Sequence, residues 1–122
     1  MQRNMDLIRS ILLTIEQKAP AGGFLDVKIE ELIEVPDGVD ADILDEHLYI
    51  MERAGFFGKH ARSFTSNSVG VLSMEGYDFL DSIRDPEVWA QTKEVSSKAG
   101  GWTLELIGEI AKGFLKTKIK EN

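Results

Sequence analysis

Two histidines, His47 and His60, and several paired carboxylates are the side chains of this 122-residue chain whose types suit acid–base or metal chemistry. His47 lies beside Asp45 and Glu46, a neighbourhood fit for an oriented base or a divalent cation. In a helix, however, its spacing from Leu44 and Met51 sets His47 on the apolar side and turns Asp45 and Glu46 away from it. A leucine should serve as well at such a position. His60 adjoins Lys59, lies two residues from Arg62 and has no carboxylate within five positions. Zinc asks for about four ligands, and two distant histidines in a chain without cysteine do not supply them. The i,i+3 pairs Asp42/Asp45 and Asp78/Asp81 read as solvated helix surface, where acids near a helix start are stabilised by its dipole. Gly22-Gly23 lacks the glycine pattern of a phosphate loop, and Gly100-Gly101 has no strand before it. The sequence therefore predicts no enzyme, no metal site and no cofactor.

Charge is segregated along the chain. The net charge is −7. Residues 31–55 hold Arg53 alone against Glu31, Glu34, Asp37, Asp40, Asp42, Asp45, Glu46 and Glu52, whereas residues 56–70 hold Lys59 and Arg62 with no acid. Composition is that of an ordinary globular protein, with 43% hydrophobic and 29% charged residues. The absence of cysteine excludes disulfides and thiolate chemistry and suits a reducing, cytoplasmic setting. No apolar run approaches the roughly 18 residues of a membrane span, and no signal segment is expected.

Periodicity and punctuation define the elements that must position these residues. Leu7, Ile8, Ile11, Leu12 and Ile15 mark an amphipathic helix ending near Lys18, before Pro20 and Gly22-Gly23. Residues 24–29 alternate as a short strand, and Pro36-Asp37-Gly38 is a turn. Asp40 caps a helix lined by Ile43, Leu44, His47, Leu48, Met51 and Ala54, which Gly55 ends. Residues 56–64 and 69–73 read as a hairpin around the polar tip 65–68. Helical periodicity returns over 75–83. Asp85 with Pro86 starts another helix, and a last one begins at Thr103, after Gly100-Gly101.

This order predicts an α+β winged-helix domain over 1–83 with a reduced middle helix, extended by two C-terminal helices over 84–122. The stretches MQRNMDLIRSILL (1–13) and LSMEGYDFLDSIRD (72–85), with Trp89, resemble a family of short bacterial and prophage proteins known only as a domain of unknown function. That resemblance implies no activity. Asn4, Ser73 and Tyr77 stand where it implies Asp, Thr and His.

Two functional expectations arise. In the first, the chain is a DNA-associated regulator whose wing residues Lys59, His60 and Arg62 meet phosphate or the minor groove, with Ser66 and Asn67 donating from the tip. In the second, Asp42, Asp45, Glu46 and Tyr49 on helix 40–54 meet a basic protein partner. The apolar stripe Leu106, Ile107, Ile110, Phe114 and Leu115 is expected either to form a homodimer surface or to dock within the chain.

Overall fold

The computed structural model describes residues 3–18, 36–58, 72–98 and 101–121. Five helices are formed there: α1 (Met5–Lys18), α2 (Ala41–Arg53), α3 (Met74–Ile83), α4 (Pro86–Ser97) and α5 (Leu104–Glu121). The chain divides into two units, Met1–Tyr77 and Asp78–Asn122, so that the division falls inside α3.

In the first unit, α1 buries Leu7, Ile8, Ile11, Leu12 and Ile15, all at three- and four-residue intervals. Its start is set by Asn4, whose side-chain Oδ1 accepts from Leu7 N at 3.0 Å. The turn at 36–39 closes with Val39 N donating to Pro36 O at 3.1 Å, and Gly38 takes φ 84°. Asp40 then caps α2, its carboxylate accepting from Ile43 N at 2.9 Å. Leu44, His47, Leu48 and Met51 form the buried side of α2, which packs with α1.

At the end of α2, Gly55 adopts φ 80°, a left-handed conformation suited to glycine, and its N–H donates to Glu52 O at 3.0 Å. Phe56 N donates to Met51 O at 3.1 Å, which completes a two-bond C-terminal cap. Phe56 O accepts from Ser73 N at 2.9 Å. Ser73 Oγ donates to the Gly55 carbonyl and accepts from Gly76 N at 3.1 Å, so one hydroxyl joins the end of α2 to the start of α3. The two ends approach so closely that a Cβ on Gly76 would lie 2.2 Å from Phe56 O.

In the second unit, Asp85 caps α4 by accepting from Glu87 N at 2.9 Å and Val88 N at 3.0 Å, with Pro86 in the first turn. Buried Val88, Trp89, Thr92 and Ser96 line one side. The two hydroxyls are satisfied within the helix, Thr92 donating to Val88 O at 2.7 Å and Ser96 to Thr92 O at 2.9 Å. Thr103 Oγ1 accepts from Leu106 N at 3.0 Å at the start of α5. α5 packs on α4, and the ring of Phe79 in α3 lies over Gly108. Lys118 Nζ, near the end of α5, meets the Asp85 carboxylate at 2.6 Å. That contact and the amides of Val88 and Glu87 hold the Asp85 carboxyl below the usual carboxylate range against a smaller opposing effect of burial. The same pairing raises the Lys118 ammonium above its ordinary value.

The α+β winged-helix expectation is corrected by this structure. The described residues are helical and contain no strand; their β-pairing is one isolated antiparallel bridge, Phe57 to Leu72. Of the expected strands, the described parts pair only there: Phe56 N closes the cap of α2, while Phe56 O receives Ser73 N beside the Phe57–Leu72 bridge, so the pairing is a single bridge and not a ladder. Residues 24–29, the region of the reduced middle helix and the tip 65–68 lie outside the described residues.

Candidate functional site: the outward face of α2

Residues at i, i+4, i+7 and i+11 share one side of a helix. In α2 these are Asp42, Glu46, Tyr49 and Arg53, all exposed, opposite the buried Leu44, His47, Leu48 and Met51. Arg53 Nη1 donates to Tyr49 Oη at 3.0 Å, and the guanidinium carbon lies 5.6 Å from the ring centroid. This cation–π and hydrogen-bonded contact fixes an aromatic ring that is 48% exposed. Asp42 and Glu46 have no ion-pair partner among the described residues. Asp45, expected on this face, is half-buried at its edge.

The opposite side of α2 is anchored by His47. Its side chain is wholly buried, Nδ1 lies 2.7 Å from Ile43 O, and Nε2 lies 2.7 Å from the backbone N of Asn4. An amide donates to Nε2, so that nitrogen is the acceptor and Nδ1 carries the proton donated to Ile43. Both ring nitrogens are thereby satisfied in the neutral form. The expectation that leucine would serve as well is revised, since it would leave the Asn4 amide without its acceptor. His47 thus holds α2 to the first residue before α1, while Ser73 holds its other end. The outward face is presented by a helix fixed at two points.

Of the other predicted residues, Lys59, His60, Arg62, Ser66 and Asn67 lie outside the described residues. In the α5 stripe, Ile107 is buried, Ile110, Phe114 and Leu115 are half-buried, and Leu106 is 38% exposed. Arg53 was not among the predicted site residues; its i+4 spacing from Tyr49 was the available signal. Among the described residues no group of three or more His, Asp or Glu is placed to hold a metal ion, and no helix is long and apolar enough to cross a membrane.

Residues 2–102 match the family described as "Hypothetical protein (DUF2513)", and the chain belongs to that family. It is also similar to an "Uncharacterized protein" of Haemophilus influenzae, 32% identical over 124 residues that cover 94% of this chain and 96% of that one. No solved structure matches it. Two of the departures from the resembled pattern keep their chemistry: Asn4 caps α1 through its amide oxygen, and Ser73 caps α3 through its hydroxyl.

Proposed function

We propose that the chain is a non-catalytic binding module that presents the outward face of α2 to a basic protein partner, in the cytoplasm of a bacterium or a prophage host. The observation that carries this reading is the pair of exposed carboxylates without ion-pair partners, Asp42 and Glu46, two turns and one turn before Tyr49, whose ring and hydroxyl Arg53 contacts. Exposed charges steer and orient an encounter, while a held aromatic contributes contact area with little ordering cost. The alternative through DNA rests on residues 59–67 carried on a sheet wing. α2 itself, with Asp42, Asp45, Glu46 and Glu52 against Arg53, would repel phosphate.

The test is a titration of the full chain with a lysine- and arginine-rich helical peptide and, separately, with arbitrary duplex DNA. Asp42→Lys with Glu46→Lys is expected to weaken peptide binding by ~10-fold or more, whereas the same charge change at Asp78 and Glu94 should act far less. Tyr49→Ala is expected to cost ~10-fold, in keeping with loss of an aromatic anchor. Equal losses from both charge pairs, or a duplex complex that outlasts the peptide complex at matched salt, would overturn the reading.

A further inference from the structure

The outward face of α5 carries a charge order that complements its own reverse. Glu105, Glu109, Lys112 and Lys116 stand at i, i+4, i+7 and i+11, share one side of the helix and are exposed. None has an ion-pair partner among the described residues. Read from the N-terminus the face is acid, acid, base, base. Laid antiparallel against the same face of a second copy, it opposes Glu105 to Lys116 and Glu109 to Lys112. A two-fold axis midway between positions 109 and 112 generates each pair twice.

A second feature of the same helix agrees with that arrangement. Gly113 sits in the interior of α5, where glycine weakens a helix relative to other residues. A Cβ there would meet nothing within 4 Å, so no described neighbour calls for its small size. Leu106, 38% exposed, lies along the same edge of the face. The two-fold axis places Leu106 of one copy two residue steps, about 3 Å along the axis, from Gly113 of the other. The leucine gains a cover and the glycine a role. Helix-dipole preference accounts for acids before bases, but not for an exposed glycine beside an exposed leucine.

We propose that the chain self-associates through this face, α5 against α5 of a second copy, antiparallel and two-fold symmetric. The contact is independent of the α2 surface and shares only the exposed Leu106 with the apolar stripe, whose Ile107 is buried and whose Ile110, Phe114 and Leu115 are half-buried. Exposed ion pairs are individually weak, so the dimer forms at high concentration and loosens with salt.

Sedimentation of the full chain at high micromolar concentration, in low and in high salt, tests the proposal. The wild type should show a dimer whose dissociation constant rises by ~10-fold or more with salt. Lys112→Glu with Lys116→Glu makes the face wholly acidic, and Glu105→Lys with Glu109→Lys makes it wholly basic. Each variant alone should be monomeric, and an equimolar mixture should form a heterodimer. Gly113→Gln should weaken the dimer by ~10-fold while raising the melting temperature of the monomer, a readout that separates lost association from lost folding. A wild type that stays monomeric, charge variants that dimerise as it does, or a mixture that stays apart would each overturn the proposal.

Discussion

At the residue scale, the side chain with the most catalytic chemistry in the chain does structural work. His47 receives a backbone amide from a residue 43 positions away. Helical spacing placed the ring on the packed side of α2, yet periodicity carries no information about a partner so distant in sequence. His47→Leu should destabilise the first unit by about 1–3 kcal/mol, the cost of leaving the part-buried Asn4 amide without its acceptor. Urea unfolding measures it, and a loss below a few tenths would mean that water replaces the imidazole. Glycines divide by surroundings in the same way. A methyl group on Gly76 would collide with Phe56 O at 2.2 Å, and backbone cannot swing aside as a side chain does. Gly76→Ala should therefore cost about 1–3 kcal/mol despite the better helix propensity of alanine, seen as a lower urea midpoint. An unchanged or higher midpoint would show that the ends of α2 and α3 separate at little cost.

At the scale of elements, the helices were legible because their signals are local. Asp40 and Asp85 cap where the sequence places them, Gly55 ends α2, and α1 stops at Lys18. The described edges of the hairpin reading hold one antiparallel bridge, Phe57 to Leu72, and no strand, because alternation records which side chains are apolar and not how far backbone pairing runs; residues 59–71 lie outside the described residues. Phe56 and Phe57 are consecutive and both buried, a pattern that a half-covered strand does not produce. On α2, Asp42, Glu46 and Tyr49 were legible as one face, whereas the contact that locks Tyr49 depends on the Arg53 rotamer. The link between the start of α4 and the end of α5 was equally hidden, since Lys118 and Asp85 are 33 positions apart. It has a pH signature. The Asp85 carboxyl is held below its ordinary value in the folded state, so its contribution is present above the ordinary carboxylate range and is lost as pH falls through it. The Lys118 ammonium is raised, so its contribution persists through neutrality and is lost at strongly alkaline pH. Lys118→Met should lower the melting temperature at pH 7 and have a smaller effect in acid, as the pH falls through the lowered range in which Asp85 takes up its proton. A deficit independent of pH would assign the loss to packing of the lysine stem.

At the scale of the molecule, the division between units falls within α3, and a helix of 10 residues is too short to persist without the packing around it. Leu72 and Ser73 tie its start to the first unit, and the Phe79 ring over Gly108 ties its end to the second. Melting either unit removes support from the same helix, so unfolding should be a single cooperative transition. The sequence offers a probe for this. Both tryptophans, Trp89 and Trp102, belong to the second unit, and His47 belongs to the first. Intrinsic fluorescence thus reports one unit, and His47→Leu perturbs the other. The urea midpoint read by tryptophan emission should move with the variant by the same amount as the midpoint read by far-ultraviolet circular dichroism, with an unchanged slope. If the fluorescence transition stayed at its wild-type position while the dichroism transition broadened or split, the units would unfold separately and α3 would not couple them.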